Sequence, residues 1–298
     1  MPSTEGTAVA RTRHHDTHAR RSQGTVRARE KIAAQRAAQQ RTRARQRWLV
    51  SIAAVGVVLA TVVGFVAVKL TSGTAAAASE SSAPQGVVSQ VTTVPAAVLA
   101  RVRGGGTVTP LQTVKAAAAA LIADGKPAIV FVSEESCPFC AAERWPLVVA
   151  LSHFGTWGHL GVTRSSATDV FPNTATLSFR TAGYHSPSLT LRTTELTDNR
   201  GHPLQPLTSL DTKLIRAYDV PPYVNSADQS GAVPFLDIGN RYILAGAQYN
   251  PQILAGLSQA QIASQLRNPA SPVAKAIDGS ANVIIAAINN MLHHQGGS

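Results

Sequence analysis

Cys137 and Cys140 stand three positions apart, and the residues on either side of them leave few folds open. They are the only two cysteines in 298 residues. Before them runs Pro127-Ala128-Ile129-Val130-Phe131-Val132, apolar and β-branched, which predicts a buried strand. After them Leu147, Leu151 and Phe154 recur at i, i+4 and i+7, the spacing of one helix face. A C-x-x-C pair between a strand and a helix reads as a redox centre. Two cysteines are too few for a disulfide framework, and a bridge this short closes almost no loop, so it stabilises little.

The local chemistry gives each residue a role. A cysteine at a helix N-terminus faces unpaired backbone N–H groups and the positive end of the helix dipole, and both favour the nucleophilic thiolate. Cys137 is therefore expected to attack, and Cys140, one turn further in, to resolve the mixed disulfide. Pro138 suits the first turn, where its missing N–H costs nothing, and Phe139 completes the pair's spacing. This chemistry calls for no cofactor.

Charge is distributed unevenly. Residues 1–48 carry twelve Lys or Arg against three Asp or Glu, so nine of the eleven net positive charges lie there. The nearly neutral remainder argues against a domain that coats nucleic acid. The basic tail is expected to be loosely helical or without fixed structure. Leu49 to Val68 follows: twenty residues without a charge, long enough to cross a hydrocarbon core. Cations crowded before this segment predict a single-pass anchor in the cell membrane, the N-terminus cytoplasmic and everything after Lys69 extracytoplasmic. The stretch 69–106 is rich in Ser, Ala, Gly and Pro and reads as a linker, with room for a short helix over 87–102.

A folded domain is expected over 107–294. Thr109-Pro110 to Ala123 predicts a helix ended by Asp124-Gly125. Leu160 to Thr163 predicts a short strand completing a βαβ unit around the cysteines. Residues 165–230 read as a long insertion, with strands near 177–180 and 189–192 and a helix over 209–218. Two apolar strands joined at Gly239-Asn240 predict a hairpin, opened by Val233-Pro234. Helices over 251–267 and 271–292 end the chain. The class is α/β, with helices on one sheet face.

This order, with C-x-x-C at a strand–helix junction and Val233-Pro234 opening a later hairpin, resembles the thioredoxin fold. The resemblance implies a cis Pro234 lying against the cysteines, with Val233 offering backbone hydrogen bonds to a bound polypeptide. Cys137-Pro138-Phe139-Cys140-Ala141-Ala142-Glu143-Arg144-Trp145 resembles more closely an uncharacterised, domain-of-unknown-function family of membrane-anchored prokaryotic thioredoxin-like proteins. The motif and the expected topology together predict a thiol–disulfide oxidoreductase whose substrates are protein thiols or disulfides, with a membrane redox partner to recycle it. The chain departs from thioredoxins in lacking a buried acid on the 128–132 strand. Glu134, Glu135 and Glu143 are the candidates to relay the proton instead.

Two other readings compete. The spacing of Cys137, Cys140, His153 and His159 fits a zinc finger, although its apolar positions are out of phase. A thioredoxin-like module that binds without redox turnover uses the same fold. Redox cycling of the cysteine pair separates it from an enzyme.

Overall fold

The computed structural model describes residues 81–102, 109–114, 118–224 and 230–295. In chain order these form β1 (Ser81–Ser82), α1 (Gln85–Thr92), α2 (Ala96–Val102), β2 (Gln112–Thr113), β3 (Ile122–Ala123), β4 (Lys126–Ser133) and α3 (Pro138–Leu151). There follow β5 (Thr156–Arg164), β6 (Ala175–His185), β7 (Thr190–Glu195), α4 (Ser209–Tyr218), β8 (Phe235–Ile238) and β9 (Tyr242–Ala245). A 3-10 turn (Pro251–Leu254), α5 (Gln259–Gln265) and α6 (Pro272–Gln295) complete the mixed α/β architecture.

The apolar run before the cysteines is the central strand, β4. It pairs antiparallel with β8 and parallel with β7, while β9 and then β2 continue the sheet beyond β8. Its lack of polar alternation has a structural cause, since both faces are covered. Ile129 and Phe131 enter the larger core, which also takes in Leu147, Leu151, Ile277, Ile284 and Ile288 from α3 and α6. Ala128, Val130 and Val132 enter a smaller core with Leu214 of α4 and Phe235. Helices therefore flank both faces of this sheet, where the sequence predicted one. A second sheet, β1-β5-β6, packs on α3, where the Trp145 indole donates to the Ala175 carbonyl at 3.1 Å.

Helix α3 is buried all round, with Phe139 alone of its residues left exposed, rather than along the one stripe its spacing predicted. Pro146 lies inside it. A proline there removes the N–H that would bond the carbonyl four residues back. That carbonyl, of Ala142, instead accepts from the Tyr249 hydroxyl at 2.7 Å. Helix α4 begins on a capping box: Thr208 accepts from the Asp211 backbone, and Asp211 accepts in return.

Several expectations are corrected. Among the described residues of 109–123 no helix is formed: β2 and β3 lie there, and Asp124-Gly125, both at positive φ, turn β3 into β4. Asp-Gly is a strong signal for a tight hairpin turn, and pairing with the start of β4 takes Ile122 and Ala123 out of the expected helix. Thr156–Arg164, which contains the 160–163 strand, pairs antiparallel with β6 in the second sheet and does not complete a βαβ unit with β4. The parallel partner of β4 is β7, inside the stretch read as an insertion, so part of 165–230 belongs to the central sheet. Residues 81–102, read as linker, contribute β1 to the second sheet and bury Val87, Val91, Val94 and Leu99 in the larger core. The 251–267 helix divides into the 3-10 turn and α5. The β8–β9 hairpin, α4 and α6 lie where they were expected. Among the described residues no helix is long and apolar enough to cross a membrane. The basic tail and Leu49–Val68 lie outside the described residues.

Candidate functional site

Strand β4 ends at Ser133, and a short bend carries the chain into α3 with Cys137 as its N-cap. The Cys137 sulfur takes the place an Asp or Ser oxygen has at other helix starts, accepting the Cys140 backbone N–H at 3.4 Å. Pro138 is the first helical residue, as its fixed φ favours. Cys137 is half-buried and Cys140 wholly buried, and both thiols are free. The Cys140 sulfur accepts the Glu134 backbone N–H at 3.4 Å.

The two thiols are driven apart in acidity. Hydrogen bonding from the Cys140 side chain, then the helix N–H groups of Cys140 and Phe139 and the nearby Arg144 charge, pull Cys137 below an ordinary thiol against the effect of its own burial. Burial pushes Cys140 well above, and the neighbouring Cys137 adds to that rise. The pair is arranged as one nucleophile in waiting and one protonated reserve.

Opposite the helix start lies the loop that opens β8. The Val233–Pro234 peptide is cis, and the Cys137 thiol donates to the Val233 carbonyl at 3.7 Å. Pro234 is buried, and Phe139 stands beside the cysteines 38% exposed, its ring edge-on to Phe171 at 5.7 Å. Phe139, Tyr223, Ala232 and Leu244 help line a cleft of about 300 Å³. The structure thus brings Cys137, Pro138, Phe139, Cys140 and Val233 together across a sequence separation of 96 residues.

The three carboxyl candidates separate. Glu134 is half-buried, accepts from the Ser136 hydroxyl at 3.3 Å, and has its pKa raised chiefly by burial. Glu135 is buried and accepts from the Ser178 hydroxyl at 2.6 Å. Glu143 accepts the Gln248 backbone N–H at 2.9 Å in the loop after β9, and burial pushes its pKa up to about 8. Glu134 is the candidate whose own backbone touches the Cys140 sulfur.

Arg144 was not among the expected residues. It is fully buried and forms a two-pronged ion pair with the buried Glu195, at 2.9 Å from Nε and 2.6 Å from Nη2. Ser133, in register with Glu195 across β4 and β7, donates to the same carboxylate at 2.8 Å. The i, i+4 spacing of Cys140 and Arg144 was the available signal, since it places both on one side of a helix. Glu195 gives no such signal, because only the parallel register of β7 brings it near.

The zinc reading fails on geometry. His153 follows the C-terminal end of α3, 13 residues beyond Cys140, and a helix rising 1.5 Å per residue sets them about 20 Å apart. Among the described residues no three His, Cys, Asp or Glu side chains are grouped to hold a metal ion.

Residues 112–290 match the family described as "Domain of unknown function (DUF929)". The match covers more than half of the chain, and the chain belongs to that family. No curated protein and no solved structure matches it.

Proposed function

For this member of the DUF929 family we propose a thiol–disulfide oxidoreductase of thioredoxin-like fold, tethered to the cell membrane by Leu49–Val68 and facing the extracytoplasmic side. The observation that carries the reading is the helix-capping sulfur of Cys137, its acidity raised by the helix N–H groups and the adjoining thiol, with Cys140 protonated and buried behind it. A structural bridge needs no such asymmetry. The Val233 carbonyl facing Cys137 and the exposed Phe139 support a polypeptide substrate presented along the β8 loop.

In this mechanism the Cys137 thiolate attacks a substrate disulfide, forming a mixed disulfide and releasing one substrate thiolate. Cys140 then displaces the second, closing the Cys137–Cys140 bridge. The reverse sequence oxidises a substrate dithiol. Pro138 starts the helix that presents Cys137, and Glu134, whose backbone N–H reaches the Cys140 sulfur, is the candidate to take the Cys140 proton.

A redox titration with mass-tagged alkylation of free thiols tests this. A reversible two-electron transition within roughly −270 to −120 mV is expected, with exchange activity abolished in Cys137→Ser. Thiols that never pair, or a bridge that resists reduction well below about −300 mV, would leave a binding module instead. Protease protection in sealed vesicles tests the tethered topology.

A further inference from the structure

We infer that Arg144, clamped by Glu195, is the positioning residue for the resolving half of the exchange: it holds a fixed positive charge under Cys140 while that sulfur attacks the mixed disulfide. The inference rests on the redox reading above and deepens it.

The resolving step poses an electrostatic problem. Cys140 is fully buried, and to attack it must become an anion where water does not reach. Burial opposes that ionisation. The contact its sulfur makes with the Glu134 N–H, at 3.4 Å, gives partial relief. One turn along the same helix lies a wholly buried guanidinium, and it and the Cys140 sulfur stabilise each other's charged forms.

The clamp leaves a remainder. Glu195 takes Nε and Nη2, and Ser133 Oγ lies 3.3 Å from Nη2, but Nη1 is buried with no hydrogen-bond partner. A buried donor left unpaired is costly, and a pair kept only for stability gains nothing from it. A guanidinium that keeps donors free in a closed site suits an anion that exists only for part of a reaction cycle. The Cys140 thiolate is such an anion.

The chemistry balances within the pair and its substrate. In the mixed disulfide the Cys137 sulfur is bonded to the substrate sulfur. Cys140 gives its proton to a base and its electron pair to a new Cys137–Cys140 bond. The bond from Cys137 to the substrate breaks, and the substrate leaves as a thiolate carrying that bond's electrons. The substrate disulfide is the two-electron oxidant, so no other is needed.

The test uses the full chain in detergent and a chromogenic aromatic disulfide, dithiobis(nitrobenzoate). Attack by Cys137 releases one coloured thiolate and closure by Cys140 releases the second, so the two steps are timed separately. An opposite charge nearby lowers a pKa by about one to three units, and about half of that gain is returned as lower nucleophilicity. The paired variant R144M/E195M, which removes both members of the clamp together, is therefore expected to slow the second release about 3- to 30-fold at pH 7. The first release should change by less. R144K, which keeps a cation against Glu195 but not the two-pronged clamp, should restore part of the second rate. Should the Met pair fail to fold, R144Q/E195Q provides the same comparison. Equal slowing of both releases, unchanged closure, or a folded R144K as slow as the neutral pair would overturn the inference while leaving the redox reading intact. Wild-type protein that gives no second release would sink both.

Discussion

Glu143 and Arg144 are neighbours on one helix, both with no solvent exposure, yet the fold treats their charges in opposite ways. Arg144 meets Glu195 at 2.6 Å, with Ser133 filling in beside the carboxylate. Glu143 meets only the Gln248 N–H through one oxygen; its other oxygen has no hydrogen-bond partner, and burial raises its pKa to about 8. Nearby on α6, Asp278 is buried with both carboxyl oxygens unpartnered and is likewise pushed to about 8. A buried charge is tolerated either by pairing or by being given up. The cysteine side of α3 keeps its charge, and the α6 side is arranged to hold neutral acids.

The largest way to break that contrast is to remove one partner of the clamp. Glu195→Ala strands a guanidinium in the core and is expected to cost about 3–5 kcal/mol, whereas the matched R144M/E195M pair should lose far less or gain. Chemical denaturation of the purified variants reads the difference directly.

A second test sharpens it through pH. Glu143 has an ordinary pKa of 4.5 and a folded value of about 8, so between these the folded state binds the proton and the unfolded state does not. Its stabilising contribution is full below about 4.5, falls as pH rises, and is gone above about 8, with a slope of at most about 1.4 kcal/mol per pH unit. Asp278 adds to the same trend between 3.8 and about 8. Glu143→Gln, which cannot ionise, should flatten the profile measured from pH 5 to 8. An unchanged slope would mean that this carboxyl is not held neutral.

The smallest expected effect concerns the same side of the helix. Tyr249→Phe leaves the Ala142 carbonyl, already deprived of its helical partner by Pro146, without a donor, at about 1–3 kcal/mol. In a Pro146→Ala background, where the helix supplies its own N–H, the cost of Tyr249→Phe should shrink. Equal costs in both backgrounds would show that the hydroxyl and the proline act independently.

What was legible in the sequence follows the range of the forces involved. Strand β4, the Cys137 cap, α4, α6 and the β8–β9 hairpin are written in short patterns: an apolar run, Pro138 after a capping residue, a 3.6-residue period, a turn pair. The misread stretches are those decided at long range. Asp124-Gly125 satisfies a helix stop and a hairpin turn equally well until Lys126 and Pro127, at the start of β4, are known to pair with Ala123 and Ile122. Thr156–Arg164 alternates well enough for either sheet, and its antiparallel register with β6 decides which. The site divides the same way. Cys137 and Cys140 announce themselves by spacing, but Glu195 lies 51 residues from the arginine that it clamps. Tyr249 gives no hint of serving a carbonyl 107 positions away.

The 96 residues between Cys137 and Val233 also set a schedule. A chain is made N-terminus first at about 5–20 residues per second, so the cysteines precede the loop that faces them by about 5–20 s. Strand β7, with the carboxylate that fixes Arg144, is also still to come when the thiols emerge. During this interval the nascent segment carries two reactive sulfurs without the clamp or the cover that make them a matched pair. Synthesis therefore passes through a stage in which correct thiol chemistry depends on the surroundings of the growing chain and not yet on its own architecture.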